Sequence, residues 1–401
     1  MPLDPAHPGG RHLSLAIGAA GDLKHPVLLN LTGGPGQAGV YLLGRASRLV
    51  QGLPGQPAIV MLDQRGTGRA ALQCPALQRA AGSSDLTVPP PAAVDDCARH
   101  IGPDRRFYTT TQTVADLEAL RRALGIRRMW ILGTSYGSYV AERYALAHPD
   151  NVAGLILLAV VPQTGVDGLL RDNLRAAGRV LQAVCRRQTC AGHPARDLNE
   201  ALRSGVDGPA LFDTLTAMTV GPTGLAGAPS ALHAAAAGDS APLDRLMAAA
   251  RREQAAPAAL LSQGLHAATL CADSVFPWRA DSPVASRAAA VEQLRRQFDG
   301  ASVRPFDAAT ALGNGIMATC RRWPPTTPPP AGLDNPLPDV PTLLVEGADD
   351  LSTNVAWMRE QARHSAHPKT VVLPGVGHRV LRSPAGIRAI RRFLAAHMRS
   401  P

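Results

Sequence analysis

The stretch Trp130-Ile131-Leu132-Gly133-Thr134-Ser135-Tyr136-Gly137-Ser138-Tyr139 restricts the folds open to this chain more than any other. An apolar run of strand formers stops at Gly133, and residues 139–146 read as a helix. Ser135 stands between them in a G-x-S-x-G pattern, where a sharp strand-to-helix turn lifts a serine hydroxyl above a sheet edge. Such a turn strains the serine backbone and leaves room only for small neighbours. The N-terminus of the following helix favours negative charge beside the hydroxyl. The stretch therefore predicts a nucleophile and a sheet to carry it.

The remaining sequence supplies the sheet. Residues 12–17 alternate as an early strand, while residues 26–31 and 58–62 are continuous apolar runs, as expected of strands buried on both faces. The first buried run ends in Thr32-Gly33-Gly34-Pro35-Gly36, a turn able to bring backbone N–H groups close to a ligand. The second ends in Asp63-Gln64-Arg65-Gly66-Thr67-Gly68. Residues 70–103, rich in proline and alanine, read as weakly structured, and a Cys74–Cys97 disulfide would tie this loop down. A helix follows from Thr113 to the break at Gly125, then the serine turn, then a strand over 152–158. Apolar strands alternating with helices mean a parallel sheet covered on both faces.

From about residue 163 to 322 the periodicity is helical, with helices expected near 169–184, 248–253, 258–271 and 288–298. A proline-rich connector over 323–330 precedes a return to α/β alternation: strand 342–345, helix 355–363, strand 370–373, helix 384–397. The expectation is an α/β protein with a mostly parallel central sheet, helices on both faces and a large helical lid insertion. Residues 1–162 would form the first part of the core, 163–335 the lid, and 336–401 the second part.

A serine hydroxyl needs a base within hydrogen-bond reach and a group that orients the base. The strand over 342–345 runs into Glu346-Gly347-Ala348-Asp349-Asp350, and both aspartates qualify as the orienting acid. The strand over 370–373 runs into Pro374-Gly375-Val376-Gly377-His378, which places His378 to reach back over the sheet as the base. The other histidines, as a class, read as surface residues.

Composition narrows the partners. A chain of 401 residues with 45% hydrophobic residues can bury a large core. The formal charge of +10 is spread over scattered arginine pairs such as Arg121-Arg122 and Arg251-Arg252, without a basic tail, so no nucleic-acid partner is expected. No stretch reaches the ~18 apolar residues of a membrane span. The six cysteines Cys74, Cys97, Cys185, Cys190, Cys271 and Cys320 form no C-x-x-C pattern, so no metal and no cofactor is expected. Their even number suits three disulfides in an exported protein whose signal peptide has been removed; the alternative is a cytoplasmic protein with six thiols. A monomer is the working assumption.

Together the motifs resemble a known family. Gly33-Gly34-Pro35-Gly36, Asp63-Gln64-Arg65-Gly66-Thr67-Gly68, Gly133-Thr134-Ser135-Tyr136-Gly137, Gly347-x-x-Asp350 and Gly375-x-Gly377-His378 follow the order of α/β-hydrolase serine peptidases. They are most similar to the proline iminopeptidase and secreted tripeptidyl aminopeptidase group. Pro2-Leu3-Asp4, Cys320-Arg321-Arg322-Trp323-Pro324 and Cys271-Ala272-Asp273 add to the likeness, which covers about residues 2–162 and 318–400. The resemblance implies Ser135 as nucleophile, His378 as base and Asp350, three residues after the glycine, as acid. It implies an oxyanion hole from the N–H groups of Tyr136 and Gly34, with Gly33 as the substitute. Asp63 and Arg65 are implied to be scaffold. Thr32 stands where the family usually has histidine, and Leu351 where it usually has proline.

The implied reaction is release of N-terminal residues from short peptides, of prolyl or tripeptidyl type. An aminopeptidase must hold a free amino group, and in the arginine-rich insertion the carboxylates available are Glu253, Asp273 and Glu292. None aligns with a family amine ligand, and a solvated helix surface is the role expected of each. A carboxylesterase or other acyl hydrolase on the same scaffold is therefore the alternative, and a non-catalytic binding protein a more distant one.

Overall fold

A computed structural model describes residues 1–398. Seven strands form one sheet: β1 (Ile17–Ala20), β2 (Val27–Leu31), β3 (Ala58–Leu62), β4 (Met129–Thr134), β5 (Val152–Leu158), β6 (Thr342–Gly347) and β7 (Pro368–Leu373). Their spatial order is β1-β3-β2-β4-β5-β6-β7, with β1 antiparallel to β3 and the remaining pairs parallel. Every residue of β2, β3 and β6 is buried, and β4 and β5 are nearly so. This is why those strands read as unbroken apolar runs rather than as alternations.

The register decides where the chemistry gathers. Leu31 pairs with Gly133, Thr134 with Leu158, and Gly347 with Leu373. The loops leaving β2, β4, β6 and β7 therefore emerge along one edge, the carboxyl edge of the sheet, where open α/β sheets bind ligands.

Two expectations need correction. The early strand begins at Ile17, and His12 forms only an isolated bridge with Pro2. The stretch 70–103 contains the helices Pro75–Ala81 and Pro91–Ile101. A proline at each first turn costs no hydrogen bond, and the alanines that follow are strong helix formers. The disulfide Cys74–Cys97 joins the start of one helix to the other.

Between β5 and β6 the chain is helical. The helices Arg171–Gln188, Ala241–Glu253, Gln263–Asp273 and Val284–Gln297 lie near the expected positions. Pro194–Arg203, Gly208–Val220, Ala228–Ala236, Ala308–Gly313 and Gly315–Arg322 were not individually expected. The proline-rich connector is pinned at its start, because Trp323 is fully buried and the Arg287 guanidinium donates to the carbonyls of Cys320 and Trp323, both at 2.6 Å. Cys185–Cys190 and Cys271–Cys320 complete three disulfides, and no free cysteine occurs among the described residues. Among the described residues no helix is long and apolar enough to cross a membrane.

Candidate active site

Ser135 has φ 57° and ψ −131°, a conformation that side chains rarely adopt and that costs on the order of 1–3 kcal/mol. Its surroundings impose it. A Cβ on Gly137 would stand 2.6 Å from the Leu31 carbonyl oxygen and 2.7 Å from that of Thr32, and one on Gly133 would collide with the Gly137 backbone. The helix Tyr136–Ala147 thus lies directly on the end of β2. The Ser138 hydroxyl donates to the Ser135 carbonyl at 2.7 Å and accepts the Val161 N–H at 2.9 Å, tying the turn to the exit of β5.

The loop after β2 closes on the serine. A Cβ on Gly33 would lie 3.3 Å from Ser135 Oγ, and Gly34 has φ +104°, which favours glycine. Asp63 accepts the N–H groups of Gly39 at 2.7 Å and Val40 at 2.9 Å, and the Thr32 hydroxyl donates to the Gln37 carbonyl at 2.9 Å. Thr32 therefore gives this loop its own hydroxyl anchor. From the insertion, the Ser262 N–H donates to Gly36 O at 2.9 Å, and Leu260 O accepts the Ala38 N–H at 3.1 Å. Arg65 is buried in a two-pronged pair with Asp116, both contacts at 2.7 Å, as a scaffold residue would be. Among the described residues no backbone hydrogen bond occupies the N–H groups of Gly34 or Tyr136. An N–H at the first turn of a helix has no intrahelical partner.

Asp350 and His378 meet above β6 and β7. His378 Nδ1 lies 2.7 Å from Asp350 Oδ2. Asp350 is 1% exposed and also accepts the N–H groups of Ser352 at 2.8 Å and Thr353 at 3.2 Å, and the Thr353 hydroxyl at 2.8 Å. The adjacent Asp349 turns away to pair with Arg187. Geometry thus separates two neighbours that composition alone left equivalent. With Nδ1–H assigned as donor to Asp350, Nε2 of the neutral ring is left to accept a proton. The His378 N–H donates to Thr219 O at 3.0 Å, seating this histidine against the end of Gly208–Val220. Among the described residues no hydrogen bond ends on Ser135 Oγ.

Burial lowers the His378 pKa, but the charge of Asp350, its hydrogen bond and the charge of Asp85 outweigh this and hold it above the ordinary histidine value. A general base works only when neutral, so kcat/KM is expected to fall as pH drops through an inflection above ~6.5. Asp350→Asn removes the largest opposing charge, and a pH–rate profile should show its acid limb at lower pH. Glu346 is fully buried and accepts the N–H groups of Val160 at 2.8 Å and Gly347 at 3.0 Å. Burial, then the Asp350 charge, push its carboxyl well above the usual range.

The model for the alpha/beta hydrolase fold matches residues 26–197. This chain has the α/β-hydrolase fold. A second model, that of TAP-like proteins, matches residues 304–399. The hydrolase is 27% identical over 183 residues to the tripeptidyl aminopeptidase of Streptomyces lividans, 40% of this chain and 34% of that protein. It is 37% identical over 123 residues to a probable proline iminopeptidase of Streptomyces coelicolor, 29% of this chain and 30% of that one. These matches span about a third of each relative's length. Among solved structures, a proline iminopeptidase-related protein of Thermus thermophilus has 21% identity and a TM-score of 0.45, covering 96% of this chain and 94% of its own. A thermophilic esterase of Thermogutta terrifontis has 18% identity and a TM-score of 0.44, covering 96% and 94%. By its family-model and sequence matches the chain resembles the proline iminopeptidase and tripeptidyl aminopeptidase families.

The candidate carboxylates of the helical insertion are dispersed. Glu292 lies on an exposed helix face, clasped by Arg295 at 2.8 and 2.9 Å and by Arg296 at 3.2 Å. Asp273 is buried beneath the serine helix, where it accepts from the Thr110 N–H and hydroxyl; that hydroxyl is 2.7 Å from Tyr136 OH. Burial pushes Asp273 up to about 6. Through the Thr110 hydroxyl it braces Tyr136. Glu253 is exposed beside Gly221, and its charge acts on Arg379, the residue after His378.

His266 departs from the surface role expected of it. It is 5% exposed, with Nδ1 2.9 Å from Pro35 O in the oxyanion loop and Nε2 3.3 Å from Asp85 Oδ1. Neither His266 nor Asp85 was singled out by the sequence. A histidine four residues after the helix-capping Ser262 was the only local hint.

Proposed function

We propose that this hydrolase is a serine aminopeptidase of prolyl or tripeptidyl type that releases N-terminal residues from short peptides through an acyl-enzyme. The observation that carries the reading is the 2.7 Å Asp350–His378 pair on the edge where Ser135 stands strained against Gly33. Ser135 Oγ attacks the scissile carbonyl while His378 Nε2 takes its proton. The oxyanion forms against the N–H groups of Tyr136 and Gly34, each worth about 3 kcal/mol in the transition state. His378 returns the proton to the leaving amine as the C–N bond breaks. Water, deprotonated by the same imidazole, then releases the acyl group and regenerates the serine.

The test is a fluorophosphonate probe together with a substrate panel. The probe should label Ser135, and amides of proline, alanine and tripeptides should be hydrolysed faster than short-chain esters. Labelling with ester turnover alone would make the protein a carboxylesterase, a reading favoured by Asp273 being buried against Thr110 and Glu292 being held by Arg295 and Arg296. No labelling and no turnover would leave a binding protein. Three disulfides support export to an oxidising compartment.

A further inference from the structure

The helical insertion carries a concentration of positive charge that acyl transfer does not use. A groove of about 880 Å³ opens between the helices Arg171–Gln188 and Pro194–Arg203 and the turn at Arg304-Pro305. Six of its eleven lining residues are arginines: Arg175, Arg179, Arg186, Arg196, Arg203 and Arg304. Gln182 and Asn199 add two amides, and among the described residues no carboxylate lines it. Lysine and arginine together make up 41 of 401 residues, so the groove is far richer in positive charge than the chain as a whole.

The local sequence builds this groove. Residues 175, 179, 182 and 186 fall on one face of their helix and span about 16 Å of rise. Arg196, Asn199 and Arg203 share a face of the second helix in the same way. The floor is made of small residues: a Cβ on Gly178 would stand 3.3 Å from Ala195 Cβ and from Pro305 Cδ. The Asn199 amide donates to Pro305 O at 3.1 Å and fixes the third wall.

The fold neutralises only part of this charge. Arg175 pairs with Asp172, Arg203 with Glu200 at 3.4 Å, and Arg196 with Asp197 at 3.7 Å. Asp197 is committed elsewhere, accepting the His193 N–H at 3.1 Å and lying 3.0 Å from His233 Nδ1. Among the described residues Arg179, Arg186 and Arg304 enter no ion pair, and all three are exposed. Guanidinium forks bind phosphate and similar oxyanions through two N–H groups at once, so these arginines suit an anionic ligand.

Shape and lining select the occupant. A row of arginines about 16 Å long runs past any single phosphate and calls for several anionic units in line. No aromatic side chain lines the groove, whereas single-stranded nucleic acid is held by stacking its bases. No large apolar side chain lines it either, and an interfacial membrane site needs an apolar face beside its charges. A linear polyanion without bases fits all three conditions.

We propose that this groove binds a linear polymer carrying phosphate or sulfate groups and so attaches the protein to it, away from the catalytic edge. Asn173 donates to Leu351 O at 3.1 Å and Ser352 O at 2.7 Å, beside Asp350. Arg175 is two residues further on, about 200° around the helix, so the arginine row turns away from the acid. Occupancy of the groove therefore leaves the turnover of small substrates unchanged. The proposal stands independently of the peptidase reading.

The test measures binding of fluorescent linear polyphosphate and dextran sulfate to the full chain by anisotropy, at low and at raised salt. At least one polymer should bind, and its affinity should fall steeply with salt as counterions are released. The tighter of the two identifies phosphate or sulfate as the recognised group. Arg179→Gln, Arg186→Gln and Arg304→Gln together should weaken binding by at least on the order of 10-fold. The same charge removed by Arg251→Gln, Arg252→Gln and Arg388→Gln should change it by less than about 3-fold. Neither polymer binding, an equal loss in both triple variants, or equally tight binding of single-stranded DNA or phosphatidylglycerol vesicles would each overturn the proposal. Should the groove variant unfold, footprinting of the wild-type protein decides. The bound polymer should shield Arg179, Arg186 and Arg304 from phenylglyoxal while Arg251 and Arg252 stay reactive, and unchanged modification would overturn the proposal too.

Discussion

Ser135→Ala is expected to lower kcat/KM by on the order of 10⁶-fold, and Asp350→Asn by on the order of 10⁴-fold. The first removes the atom that bonds to the acyl group. The second leaves shape intact but replaces an anion that accepts from His378 with an amide that can present N–H instead, which favours the wrong imidazole tautomer. Residual turnover would then come from the oxyanion donors and substrate binding alone. A third variant separates chemistry from folding. Ser135→Gly deletes the hydroxyl and also relieves the positive φ, so it should be inactive and more stable by about 1 kcal/mol. Thermal unfolding beside single-turnover kinetics would check both. If Ser135→Ala kept wild-type turnover of the same amides, the nucleophile assignment would be wrong.

What the sequence made legible follows from which forces are local. Strands buried on both faces must be apolar throughout, so β2 to β6 announce themselves. The serine turn needs glycines at fixed offsets because backbone atoms of β2 and of its own helix occupy the side-chain positions, and that need survives without coordinates. The choice of Asp350 over Asp349 rested on family likeness alone, since only the fold shows that Arg187, 162 residues away, takes up the other carboxylate.

The lid behaved differently. Gly208–Val220 is apolar or hydroxyl-bearing on most sides, without the stripe that marks a surface helix, so nothing in its periodicity set it apart. Glu292 was the reverse case: arginines three and four residues later already spelled a solvated helical ion cluster. His266 and Asp85 carry no local mark, because their surroundings are assembled from Pro35, Asp213 and His378, far off in the chain. Residues whose roles depend on such meetings stay silent until the fold brings them together.

Replacing both Cys271 and Cys320 by serine is expected to cost about 4 kcal/mol, or roughly 5 °C in Tm for a chain of this length. The bridge closes a loop of separation 49, against 23 for Cys74–Cys97 and 5 for Cys185–Cys190, for which chain entropy gives about 3 and about 2 kcal/mol. The functional consequence should be larger than the thermal one. The bridge ties the helix Gln263–Asp273 to Gly315–Arg322, and the first of these carries His266 on the oxyanion loop and against Asp85. Gly264 on the same helix packs against Cys74, where an added Cβ would stand 3.1 Å from the sulfur, so two disulfides brace one support. Calorimetry of the double variant should show the loss of stability, and kinetics should show the free-amine tripeptide losing more than the small ester, since the ester needs only the edge of the sheet. Equal losses on both substrates would mean that the helix supports the fold as a whole.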